Sequence, residues 1–205
     1  VGVYDEIRAA IIDGRFPSHQ VLSESFLANE FGTSRTPVRE ALYRLEHEQL
    51  IERASRGVRV RDSSPEEILD IYEVRITLEG AAARAAAHRA TALDLARLRS
   101  AQESMRDADA GASERFNSNR RFHEAIWEAS HNPTLIDMLQ RLDLHLIRYP
   151  TTTLTYRDRW EEALQEHEEL LEAIERRDAE RAREIAEQHM TGAREARLQM
   201  YADAE

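Results

Sequence analysis

Apolar positions recur at helical spacing from the third residue onward: Val3, Ile7, Ala10 and Ile11 form one stripe that stops at Gly14, with Pro17 in the connector after it. Ser23 is placed to cap a short helix ending at Gly32, and Ser34 to cap another that runs to about Glu48. Between Ile51 and Val60 the pattern changes to β-branched residues around Ala54-Ser55-Arg56-Gly57, which predicts a small hairpin. Asp62-Ser63-Ser64-Pro65 then makes a polar connector that also starts a helix, with Ser64 as cap, Pro65 at the first position and Glu67 three residues past the cap. Beyond it every stretch has helical period, predicting helices near 65–88, 92–110, 113–130, 133–149, 156–176 and 179–202, with Asn132-Pro133 and Asp178 as starts.

This order predicts a mainly α protein: a winged helix-turn-helix domain over 1–61, a linker at 62–65 and an all-α antiparallel bundle over 66–205. Composition narrows the chemistry. The chain has 205 residues, 39 acidic against 28 basic, and a formal charge of −11, which argues against a generic polyanion binder. The deficit is local: residues 1–61 hold nine Arg and nine acidic residues, so the whole −11 belongs to 62–205. All the basic residues are Arg. Cysteine is absent, which excludes disulfides, thiolate metal ligands and thiol catalysis. No run approaches the roughly 18 apolar residues of a membrane span, and no charged-then-apolar leader opens the chain. The expectation is a cytoplasmic protein without membrane contact.

In the predicted third helix Val38, Ala41, Leu42 and Leu45 make one apolar face and leave Arg35, Thr36 and Arg39 pointing elsewhere. Arg35 and Arg39 are four apart, hence on one side. A helix whose first turn exposes guanidiniums suits the major groove of double-stranded DNA, where Arg reads guanine and the helix N-terminus favours phosphate. Arg56 and Gly57 at the hairpin tip, followed by Arg59 and Arg61, add a second contact region in which glycine permits close backbone approach. A solvated arginine face is the alternative for the helix taken alone.

Three of the eight histidines fall on inward stripes of three different helices. His123 lies with Phe116, Asn119, Ile126 and Trp127; His167 with Leu164, Leu170, Leu171 and Ile174; His189 with Ile185, Ala186, Ala193 and Ala196. Inward side chains from several helices are how bundles build metal sites, and neutral imidazole suits Zn, and also Ni, Mn or Fe in mixed nitrogen and oxygen sites. Arg75 shares a stripe with Ile68, Ile71, Leu78 and Ala82, so its inward charge needs an anionic ligand or an internal partner such as Glu79. His145 lies with Leu135, Met138, Leu142 and Tyr149, and Arg148 at the edge of that stripe. Histidines of a dry structural core are one alternative. A metal-dependent hydrolase or oxygenase is another, although no His/Glu pair at HExxH-type spacing supports it, and Glu166-His167-Glu168-Glu169 reads as a solvated face.

Gly14-Arg15-Phe16, Leu22-Ser23-Glu24, the run from Phe31 to Leu42, Arg44-Leu45-Glu46, Leu50-Ile51 and Arg56-Gly57-Val58 resemble the DNA-binding domain of the GntR family of bacterial transcription regulators. Arg75-x-x-Leu78-Glu79, Asn119-x-x-x-His123, Asn132-Pro133, Glu166-His167 and His189 resemble the FCD effector domain of that family's fatty-acid-regulator subgroup. The resemblance implies a ligand-responsive regulator, a repressor rather than an enzyme. It implies a homodimer on a palindromic operator, with Arg35, Thr36 and Arg39 in the major groove and the wing around Arg56 and Gly57 in the minor groove. It also implies a divalent metal held by Asn119, His123, His167 and His189 beside a small carboxylate effector contacted by Arg75 and Arg148; periodicity adds His145 to that set. Ser25, His19 and Gln49 depart from common family residues, as does Asn119 from the commoner Asp. Asn leaves a divalent charge uncompensated, so metal should bind less tightly and an anion more strongly.

Overall fold

A computed structural model of the chain describes residues 2–12, 14–17, 20–61, 64–106, 111–147 and 152–203. Residues Asp62 and Ser63 of the expected linker, His19, Arg148 and Tyr149 lie outside the described residues. The chain divides into two compact units, 1–64 with 143–150, and 65–142 with 151–205.

The first unit contains α1 (Val3–Ile12), β1 (Val21–Leu22), α2 (Glu24–Glu30), α3 (Arg35–His47), β2 (Ile51–Ala54) and β3 (Gly57–Val60). Ser23 caps α2 as its sequence position predicts, its hydroxyl accepting from the Phe26 N–H at 3.1 Å. Ser34 precedes α3 in extended conformation but makes no side-chain cap. Val38, Ala41, Leu42 and Leu45 are buried, and they join Ile7, Ile11, Leu22, Leu27, Ile51, Val58 and others in one core. Helix α3 ends through Gln49, whose φ of 56° is left-handed. The Leu50 N–H returns to the Leu45 carbonyl at 3.0 Å, so a non-glycine residue fills the position that usually favours glycine.

The wing differs from the predicted hairpin. It is a three-stranded antiparallel sheet in the order β1-β3-β2, with Leu22 opposite Val58 and Ala54 opposite Gly57. A strand of two residues has no alternation to detect, and β1 exists only through its pairing with β3. Its presence explains Gly57. That residue has φ +135°, and a Cβ there would meet the Leu22 carbonyl oxygen at 2.3 Å. Gly57→Ala is expected to destabilise this unit by about 2 kcal/mol or more, measured as faster hydrogen exchange at its slowest amides with the second unit unaffected. Unchanged protection would mean that β1 can withdraw without cost.

The second unit holds α4 (Pro65–Arg89), α5 (Ala92–Arg106), α6 (Ala112–Ala129), most of α7 (Pro133–Ile147), a 3-10 turn at Thr153–Thr155, α8 (Arg159–Glu175) and α9 (Ala179–Ala202). Helix α8 starts three residues later than expected because the Thr152 hydroxyl caps the 3-10 turn instead. Asp178 caps α9 by accepting from the Arg181 N–H, and Asn132 does the same for α7 from Leu135. Met138, expected inward, is exposed. The core is alanine-rich on α4 (Ala82, Ala83, Ala86, Ala87) and α9 (Ala182, Ala186), so these two helices can approach closely, while Phe122, Ile126, Trp127 and Trp160 supply the bulk. Among the described residues no helix is long and apolar enough to cross a membrane.

Candidate nucleic-acid interface and candidate metal centre

In the first unit Arg35, Thr36 and Arg39 are exposed on the first turns of α3, and Arg56 is exposed at the wing tip. One open groove runs between Arg35, Arg39 and Arg56, bordered also by Glu24, Tyr43, Arg53 and Gly57. The arginines are not equivalent. The Arg39 guanidinium donates from Nε to Glu24 Oε1 at 2.9 Å and from Nη2 to Glu24 Oε2 at 2.8 Å, which holds the Glu24 carboxyl below its usual range. Arg53 is held in the same way by Glu46, and Arg59 by Glu52 across the strands. Arg35 and Arg56 make no ion pair among the described residues. Two guanidiniums are therefore available to phosphate or base edges, and a third is oriented by a neighbouring carboxylate.

In the second unit α6, α8 and α9 bring His123, His167 and His189 together, all buried, with one ligand atom from each lying within 4.8 Å of the others. Nε2 of His189 is 3.2 Å from Nε2 of His123 and 3.3 Å from Nε2 of His167. His167 stacks on Phe122 with ring centroids 4.2 Å apart. Burial first, then the neighbouring positive groups, push the His167 imidazole well below its usual range and His189 down to about 4, in the latter against the opposing pull of Glu166. Both are neutral near pH 7, the form that ligates metal.

Carboxylates and a sulfur surround the cluster on the far side of the rings. His189 Nδ1 is 2.6 Å from Glu166 Oε2, His167 Nδ1 is 3.3 Å from Met105 Sδ, and His123 Nδ1 is 3.5 Å from Glu79 Oε2. Glu79 is itself bonded by Arg75 at 2.9 and 3.1 Å and by the Trp127 indole N–H at 2.7 Å. Burial opposes its ionisation, but His123, Arg75 and Trp127 outweigh that and carry its carboxyl down to about 2. Glu166 reaches about 2 by the same balance of burial against His189 and Arg159. Arg75 thus has the internal carboxylate partner that its inward position required. Glu166, read from sequence as part of a solvated face, instead belongs to His189. Asn119 Oδ1 is buried without a hydrogen-bond partner among the described residues. His145 falls in the segment of α7 grouped with the first unit.

The residues fit a divalent cation. Adjacent ligands of tetrahedral or octahedral ions stand about 3.0–3.4 Å apart, which matches the two Nε2 separations. The Asn119 oxygen is an available oxygen donor, and the Glu166 and Met105 acceptors behind His189 and His167 favour Nε2 lone pairs that face inward. The formal charges of Arg75 and Glu79, and of Arg159 and Glu166, cancel in pairs, so a bound divalent charge would remain for an anionic ligand.

Residues 1–60 match the family described as bacterial regulatory proteins, gntR family, and residues 70–192 match the FCD domain. The galactonate operon transcriptional repressor of Escherichia coli K12 is 32% identical over 199 residues, covering 86% of this chain and 86% of that protein. The Glc operon transcriptional activator of the same organism is 34% identical over 162 residues, 68% of this chain and 64% of that one. Among solved structures, E. coli McbR/YncC superposes with a TM-score of 0.80 at 27% identity, covering 97% of this chain and 96% of that one.

Proposed function

The chain belongs to the GntR family of bacterial regulatory proteins, with an FCD domain after its helix-turn-helix head, and from that premise we propose an effector-responsive repressor that binds a palindromic operator as a homodimer. Its family and relatives are transcription regulators, not enzymes. Residues 1–61 are the reading head, 62–65 the linker and 66–205 the sensing and dimerising domain. The exposed turn of α3 that carries Arg35, Thr36 and Arg39 beside the wing tip is the observation that supports DNA reading most directly. In this reading Arg35 and Arg39 meet base edges and phosphate, Thr36 bonds the backbone, and Arg56 with Gly57 follows the minor groove.

The sensing site lies at Asn119, His123, His167 and His189, which would hold a divalent metal, zinc first, with nickel, manganese or iron as alternatives. Such an ion supplies a Lewis-acidic charge that attracts a small carboxylate. Arg75 is the proposed effector contact, sharing its charge between the effector and Glu79. An effector that prefers one arrangement of the bundle changes operator affinity by the same factor that DNA changes effector affinity. A second reading has a specific basis: separations of 3.2–3.3 Å between imidazole nitrogens also suit N–H···N hydrogen bonds, so a metal-free, purely dimerising bundle is the competitor.

Selection of bound sequences from a random DNA pool is the direct test, and an inverted repeat is the expected enriched site. The galactonate-operon relative makes hydroxy-carboxylates the first panel to be screened for release of that site. Enrichment of no sequence, or of a single unrepeated half-site, would overturn the dimeric operator reading.

A further inference from the structure

We infer that Glu166, anchored by the buried Arg159, is a positioning residue that fixes the tautomer and direction of His189. The inference rests on the metal reading above, but its core concerns the imidazoles themselves. His189 Nδ1 stands 2.6 Å from Glu166 Oε2 and 3.2 Å from Arg159 Nη2; a carboxylate can only accept, so the shorter contact favours the Nδ1–H tautomer, which leaves the Nε2 lone pair on the side shared with His123 and His167. An isolated carboxylate could swing away. This one is held by the Arg159 guanidinium at 2.8 Å, whose Nη2 also donates to the His189 carbonyl at 2.9 Å.

The sequence around these residues serves the same arrangement. Arg159 and Glu166 are seven apart on α8, two turns along one face, so one helix supplies both members of the clamp on a residue of α9. Gly192, one turn after His189, lies against the guanidinium, where a Cβ would stand in ordinary contact at 3.4 Å from Arg159 Cζ and Nη2. Arg159 is 4% exposed although it is the first residue of its helix, a costly place for a guanidinium unless its partners hold it. On α4 Arg75 bonds Glu79, but Glu79 Oε2 stands 3.5 Å from His123 Nδ1, which has no hydrogen-bond partner among the described residues. Among the described residues His167 Nδ1 meets the uncharged Met105 sulfur. The three imidazoles are therefore unequal: His189 is hydrogen-bonded to an anchored carboxylate and the other two are not. Outer partners of this kind typically alter metal affinity 10–100-fold.

The test uses the full chain, stripped of metal and labelled with nitrogen-15, with Glu166→Ala, Glu166→Gln and Arg159→Met. Long-range nitrogen–proton spectra are expected to show the wild-type His189 as Nδ1–H. Glu166→Ala should shift His189 toward Nε2–H and weaken zinc binding, measured by chelator competition, about 10–100-fold. Glu166→Gln keeps an acceptor without the charge, so it should restore the tautomer and recover part of the affinity, a rescue that a merely structural role would not give. Arg159→Met should loosen Glu166 and give an intermediate loss. An Nε2–H tautomer at His189 in the wild type, or no change of tautomer in Glu166→Ala, overturns the inference whatever the metal result. An Nδ1–H tautomer at His189 in a wild type that binds no zinc would uphold the positioning and overturn the metal reading alone.

Discussion

Chelator-stripped wild-type protein given zinc at about a thousandfold free excess over its dissociation constant is expected to melt about 10 °C higher. Binding to the native state alone contributes about 4 kcal/mol at that excess, and a chain of this size gains roughly 2–4 °C per kcal/mol. His167→Ala should abolish the shift, because it removes one of three converging imidazoles. The same substitution removes a buried ring stacked on Phe122, so the comparison must be with the variant's own metal-free melting temperature. His88, which is exposed and outside the cluster, is the control: His88→Ala should keep the full shift. No shift in the wild type with zinc, nickel, manganese or iron would leave the histidines as a self-satisfied core and favour the purely dimerising bundle.

Arg35→Ala and Arg39→Ala are each expected to weaken binding to the selected operator about 5- to 150-fold, the range for one base or phosphate contact, while mutated control DNA is bound little differently. The two should differ in character. Arg35 makes no ion pair among the described residues and loses a direct contact. Arg39 starts in the grip of Glu24, so its substitution also frees a carboxylate beside the DNA, which raises electrostatic repulsion. Glu24→Gln separates the terms: it should raise affinity for unrelated sequences and lower discrimination if the carboxylate steers Arg39. Fluorescence anisotropy across a salt series measures both, and the slope should be modest because residues 1–61 carry no net charge. Equal affinity of Arg35→Ala and wild type for the operator would count against the docking of α3.

The elements were legible where the period was long. The apolar face of α3, the caps at Ser23, Asn132 and Asp178, and the inward stripes of His123, His167 and His189 all follow from spacing alone, and the structure puts the three imidazoles in contact. What escaped has a common cause. Glu166 sits beside His167 in sequence and serves His189 in space, and a helical turn of about 100° between neighbours makes an acidic run read as solvated when one member points elsewhere. Arg159 was hidden in a chain where all the basic residues are Arg, so no composition signal marks it, and the start of α8 was placed three residues early. Met105 carries no polar signature at all. The Arg75 and Glu79 pair was visible as a possibility because the two are four apart on a helix, but only the fold brings Trp127 and His123 to the same carboxylate. Strand β1 required knowledge of β3.

That short strand changes how the head meets its target. Two-stranded ribbons are marginal in water, and a wing built that way would be an arm that must be frozen on docking. Here the Val21 and Leu22 backbone pairs with Arg59 and Val58, and Leu22 is fully buried. The ordering cost of the ribbon is incurred during folding, before any encounter with DNA. Preorganisation of this sort leaves less entropy to lose on association, so the proposed contact at the tip that carries Arg56 would need no folding step at the interface.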